Sequence, residues 1–89
     1  MKILICDDEI QYVNTLQAHV QQYMDSRFIN YEILATTSPK EILKSETRFD
    51  LAFLDIQMEE MDGISLAKEL KRRNRKIALF FVTNYDDYQ

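Results

Sequence analysis

The chain has 89 residues, 46% hydrophobic and 29% charged, with 11 Lys and Arg against 15 Asp and Glu for a net charge of −4. This is the balance of one globular domain and not of a disordered tail, and the acidic excess excludes a whole-surface binder of nucleic acid or anionic membrane while leaving room for a local basic patch. The single Cys6 cannot form an internal disulfide, no run approaches the roughly 18 apolar residues of a membrane span, and the apolar start meets acid at Asp7 before it could serve as a signal peptide, so a cytoplasmic location is expected.

Lys2 to Cys6 is a short apolar run that stops at Asp7-Asp8, the pattern of a strand buried on both faces. From Glu9 onward Val13, Leu16, Val20 and Met24 recur at spacings of three and four, which predicts a helix to about Asp25. Tyr31 to Thr36, rich in branched and aromatic residues, predicts a second strand. Ser38 as N-cap, Pro39 at the first helical position and Glu41 three residues after the serine predict a capping box opening a short helix near Pro39 to Ser45. Leu51-Ala52-Phe53-Leu54 predicts a third buried strand that ends in acid at Asp55. Beyond a loop holding the only glycine, Gly63, the residues Ile64, Leu66, Ala67 and Leu70 predict a third helix, closed by Lys71-Arg72-Arg73-Asn74, cations that suit a helix C-terminus. Ile77 to Val82 predicts a fourth buried strand, after which Thr83 and Asn84 open a polar aromatic tail. Strands alternating with helices imply right-handed crossovers and a parallel sheet, an α/β doubly wound fold. With no repeat and no linker, residues 1–89 read as one domain.

In a parallel sheet every strand delivers its last residue to the same edge, so Asp7, Asp8, Asp55 and Thr83 are expected in one crevice although they are far apart in sequence. Three neighbouring carboxylates repel, and a cation lets them stay ionised at neutral pH. An all-oxygen site calls for a hard metal, and Mg²⁺ fits best because it is satisfied by one or two carboxylates with waters and phosphate oxygens. One carboxylate can then act as nucleophile toward phosphorus. Asp55 stands alone at its strand end and suits that role, the Asp7-Asp8 pair suits the ion, and the Thr83 hydroxyl can donate to a phosphoryl oxygen.

Asp7-Asp8 after the first strand, Leu51 to Asp55 followed by Ile56-Gln57-Met58 and Met61-Asp62-Gly63, and Phe80-Phe81-Val82-Thr83 together resemble the receiver domain of two-component response regulators, over nearly the whole chain. The tail Thr83-Asn84-Tyr85-Asp86-Asp87-Tyr88 is similar to receivers of the LytTR class, whose full-length members carry a DNA-binding domain after the receiver. The resemblance implies a flavodoxin-like receiver fold and a phosphoacceptor, not an enzyme, serving transcription regulation. It implies that Asp55 takes phosphate from a phosphohistidine on a sensor histidine kinase. It also implies that Asp8, Asp55 and the backbone carbonyl of Gln57 ligate Mg²⁺, that Asp7 holds metal-bound water and that Thr83 contacts the phosphoryl group. The side chains of Gln57 and Tyr85 would flank the acyl phosphate.

Where many receivers have proline four residues after the phosphoacceptor this chain has Glu59, so a less rigid and more acidic loop is expected. The family pattern continues through a fourth helix, a fifth strand bearing a lysine, and a fifth helix. Residues 1–89 therefore read as a truncated receiver domain with four strands and three helices. Strand four is then expected to be an apolar sheet edge that self-associates or swaps, giving a homo-oligomer. No nucleic-acid or membrane contact by this chain is expected.

Two other functions compete: a phosphorylation-impaired binding module working through strand four, and a fragment of an aspartate-nucleophile phosphohydrolase. The latter usually has a second acid two residues after the nucleophile, where this chain has Gln57. Among the remaining residues His19 reads as a lone boundary histidine, Cys6 as a small buried hydrophobe, and Lys68 to Lys76 as a solvated helix end. Tyr12, Tyr23 and Phe28 read as core and boundary packing.

Overall fold

A computed structural model describes residues 1–82. Four strands and three helices alternate: β1 (Lys2–Cys6), α1 (Ile10–Ser26), β2 (Glu32–Thr36), α2 (Pro39–Lys44), β3 (Leu51–Asp55), α3 (Gly63–Arg73) and β4 (Ala78–Val82). All strand pairs are parallel, in the order β2-β1-β3-β4. The chain steps from β1 outward to β2, crosses back over β1 to β3, and continues to β4. The winding thus reverses between β1 and β3, which is where an open α/β sheet leaves a crevice at its carboxyl ends.

Alternation along β1 divides the core into two layers. Ile3 and Ile5 pack with Val13, Val20 and Met24 of α1 on one face. Leu4 and Cys6 pack with Ile42 of α2 and with Leu66, Ala67 and Leu70 of α3 on the other. No helix among the described residues is long and apolar enough to cross a membrane.

The structure departs from several sequence expectations. Ser38 and Glu41 do not form a capping box: the Ser38 side chain makes no cap bond, its hydroxyl donating instead to Glu60 Oε1, and Glu41 accepts from Thr36. The fourth strand is not buried as its apolar run alone suggests; among the described residues it is the exposed apolar edge also expected of it. None of the five β4 residues is buried, and Phe80 and Phe81 are 53% and 43% exposed, because among the described residues β4 has only β3 beside it. Ile64 lies on the solvent side of α3, which buries Gly63, Leu66, Ala67 and Leu70. Phe28 is not packed: α1 stops at Ser26 and the chain leaves it through Phe28 at φ 55, a left-handed turn that aims the ring into solvent. The basic end of α3 is only partly solvated. Arg73 has a side chain 3% exposed, pairs with Glu69 at 2.7 Å, and donates to the carbonyls of Ile42 and Thr47, which fastens α3 to α2 and to the segment after it.

Candidate metal centre

The register builds the site. Cys6 pairs with Leu54 across β1 and β3, so the next residues, Asp7 and Asp55, emerge side by side at the sheet's carboxyl edge. One carboxylate oxygen from each of Asp7, Asp8 and Asp55 can be chosen so that all lie within 4.8 Å of one another. Asp7 and Asp55 are buried and Asp8 is exposed, so the cluster opens to solvent on the Asp8 side. Val82 is the β4 partner of Asp55; Thr83, like Tyr85, lies outside the described residues. A cavity of about 170 Å³ adjoins Asp7, lined by Tyr12, Thr15, Leu16, His19 and Val82.

Local sequence fixes each part. Asp7 Oδ1 accepts the Glu9 N–H at 3.0 Å, folding the chain from β1 into α1, whose N-cap position is taken by Glu9 and not by either aspartate. Asp8 Oδ2 accepts the Glu59 N–H at 3.3 Å and so touches the loop after β3. The backbone of Gln57, expected to contribute its carbonyl, lies close enough to the Asp55 carboxylate for its amide, like that of Ile56, to favour the ionised form.

Two features of the β3–α3 loop escaped the sequence reading. A Cβ on Gly63 would collide with the Asp55 carbonyl, and its N–H donates to Ile56 O at 2.8 Å, so only glycine lets the start of α3 lie against the end of β3. Asp62 is the N-cap of α3, accepting the Ser65 N–H at 2.7 Å. The signal was present in the sequence, since an Asp just ahead of an apolar stripe marks a helix start.

The electrostatics are those of uncompensated anions. Burial, and then the charge of Asp7, push the Asp55 carboxyl up from 3.8 to about 6; the Gln57 and Ile56 amides oppose the shift and Asp8 adds to it. Burial and the same acids, with Glu60, push the Cys6 thiol up to about 12. That thiol lies 3.7 Å from Met58 Sδ and behaves as a buried hydrophobe. Three carboxylates in reach of one point, one of them disfavouring its own ionisation, form an all-oxygen donor set that fits a hard divalent cation.

The sequence pattern of the response regulator receiver domain matches residues 3–89. The chain is 33% identical over 89 residues to the transcriptional regulatory protein ZraR of Escherichia coli K12, a match covering 98% of this chain and 19% of that protein. It is 34% identical over 91 residues to the sensory transduction protein LytR of Streptococcus agalactiae, covering 99% of this chain and 36% of that one. The chain therefore spans between about a fifth and about a third of the curated relatives it matches. Similarity to LytR is compatible with the LytTR-class resemblance. Among solved structures, the response regulator TrrA of Thermotoga maritima in complex with Mg²⁺-BeF is similar with a TM-score of 0.75 at 28% identity, over 99% of this chain and 73% of that one.

Proposed function

The chain belongs to the response regulator receiver domains, and on that premise we propose that Asp55 accepts a phosphoryl group from a phosphohistidine of a sensor histidine kinase, with Mg²⁺ held by the acidic rim. The observation that carries the reading is the meeting of Asp7, Asp8 and Asp55 within 4.8 Å where the sheet winding reverses. An Asp55 oxygen attacks phosphorus in line, the P–N bond to the imidazole breaks, and the released imidazole takes a proton; water later cleaves the acyl phosphate. Asp8 and Asp55 would hold the cation with the Gln57 carbonyl, and Asp7 would act on it through water. When bound, such an ion would supply charge neutralisation for the transferring group. That TrrA is a complex with Mg²⁺-BeF supports the same ion here. Thr83 is assigned the contact to the phosphoryl oxygens.

Residues 1–89 are read as part of one receiver domain, promoting its own phosphotransfer and dephosphorylation in the cytoplasm. Output to transcription, and any contact with nucleic acid, is assigned to other domains. The family match favours this over a phosphorylation-impaired binding module. Homo-oligomerisation through β4 is compatible with it: the exposed Phe80 and Phe81 flank the β4 edge, and an apolar groove of about 360 Å³ between α1 and the sheet is lined by Val20, Met24, Leu51, Phe53 and Phe80. Sedimentation as a monomer at every concentration removes that part of the reading.

Incubation with a small phosphodonor and Mg²⁺ is expected to give an acid-stable, hydroxylamine-labile acyl phosphate on the wild-type chain and none on Asp55→Asn. Label retained by Asp55→Asn, or none on the wild type with either a small donor or a phosphorylated kinase, overturns the proposal.

A further inference from the structure

The loops after β1, β2 and β3 are tied together at the acidic rim. The Glu59 N–H donates to Asp8 Oδ2 at 3.3 Å, and Ser38 Oγ donates to Glu60 Oε1 at 2.7 Å. Ser38 is itself held, its N–H donating to Thr36 Oγ1 at 3.0 Å while that hydroxyl donates to Glu41 at 3.2 Å. Glu60 is thus a carboxylate tethered through Ser38 on the loop that touches Asp8, and among the described residues no lysine or arginine pairs with it. Both of its anchors meet the rim: the preceding residue Glu59 touches Asp8, and Ser38 follows closely on Thr36, whose carbonyl accepts the Asp7 N–H at 3.3 Å. Glu60 does not belong to the group of acids whose oxygens converge on one point.

We propose that Glu60, held in place by Ser38, is a fourth acidic determinant of the cation site, strengthening divalent binding by its charge, across space or through the ion's water, without ligating the ion. The inference rests on the reading of Asp7, Asp8 and Asp55 as the cation site and adds a residue to it. A single anion close to a divalent ion near the protein surface accounts for roughly a three- to tenfold change in affinity, reduced by salt. The Ser38 hydroxyl matters because an untethered glutamate on an exposed loop spends much of its time turned to solvent.

Mn²⁺ serves as the probe, since it takes the same oxygen ligands as Mg²⁺ and free and bound ion are separated by electron paramagnetic resonance. Glu60→Gln keeps an oxygen to accept from Ser38 and removes the charge, and Ser38→Ala keeps the charge and removes the tether. Glu32→Gln, at the opposite edge of the sheet, makes the same change in net charge. At low salt Glu60→Gln is expected to weaken Mn²⁺ binding about three- to tenfold, Ser38→Ala by less, and Glu32→Gln not at all, with the Glu60→Gln loss shrinking as salt is raised. Hydrogen exchange at the Glu59 amide should be unchanged in Glu60→Gln, which separates loss of charge from loss of loop order. Wild-type affinity in Glu60→Gln, or a loss no larger than that of Glu32→Gln, overturns the inference and leaves the three-aspartate site standing. No Mn²⁺ binding by the wild type overturns both.

Discussion

Replacing Asp55 by asparagine removes a charge that the fold holds at a cost. The native carboxyl is pushed from 3.8 to about 6, first by burial and then by Asp7, whereas in the unfolded chain it keeps its ordinary value. Between those values the native protein binds the extra proton, so the free energy of unfolding falls as pH rises from about 4 through about 6 and levels off above. At 1.36 kcal/mol per pKa unit the whole shift is worth about 3 kcal/mol, and screening at the open Asp8 side brings the expected effect to about 1–3 kcal/mol. In EDTA near pH 7.5, Asp55→Asn should therefore be more stable than wild type by about 1–3 kcal/mol, with the gap closing toward pH 4. Urea titrations of both proteins across that range measure it, and taking their difference cancels other groups, such as Glu69, whose carboxyl the Arg72 and Arg73 guanidinium groups hold down to about 2. Added Mg²⁺ should stabilise wild type by up to about 2.7 kcal/mol at a hundred times its dissociation constant, and Asp55→Asn by much less. If the two proteins are equally stable at neutral pH, or differ by the same amount at both ends of the range, the account of Asp55 as an uncompensated anion is wrong.

Gly63→Ala places a methyl group where the Asp55 carbonyl stands, so a loss of about 1–3 kcal/mol in urea denaturation is expected, with weaker Mg²⁺ binding as the end of β3 shifts. Wild-type stability would show that the contact yields easily. Arg73→Ala strips Glu69 and the Ile42 and Thr47 carbonyls of a buried partner and should cost about 2–4 kcal/mol, against under 1 kcal/mol for Arg72→Ala on the solvent side, read from denaturation midpoints at constant m. Cys6, with its thiol up at about 12, should resist iodoacetamide at mildly alkaline pH in the native protein and react at the ordinary rate in urea; fast native alkylation would contradict its burial.

How much of this was legible in the sequence depended on the range of the interaction concerned. The elements followed from short-range pattern: unbroken apolar runs for β1 and β3, a three-and-four repeat for α1, and cations at the end of α3. The rim followed from topology, since parallel strands leave their last residues on one edge whatever the loops do, and the oxygens of Asp7, Asp8 and Asp55 do lie together. Pairings between loops were not legible. Ser38 followed by Pro39 and Glu41 looks like a capping box, yet its hydroxyl goes to Glu60, because the neighbouring loop offers an acceptor that no count along the chain can show. Arg73 is written as one of several cations at a helix end; only packing decides that it turns inward to Glu69 and two carbonyls while Arg72 stays outside. Phe28 failed for a related reason, as its hydrophobicity says nothing of a backbone turned to φ 55 one step past the helix.

The rim is an expensive place to gather acids, and the fold already brings the compensation it can. The start of α1 follows directly on Asp7 and Asp8, and the first turn of α3 lies against the end of β3 through Gly63, so the positive ends of two helix dipoles are near the carboxylates. Each such end is worth about 0.3–1 kcal/mol at an exposed site. The Gln57 and Ile56 amides also pull the Asp55 carboxyl down, yet it stays at about 6, well above its ordinary range. The amides therefore do not balance the three charges, and a bound divalent ion would act in the same direction as they do. An acid that the fold destabilises when it is ionised and alone is one whose charge state a bound cation would set, and on the proposed reading this would tie the stability of the domain to occupancy of the site.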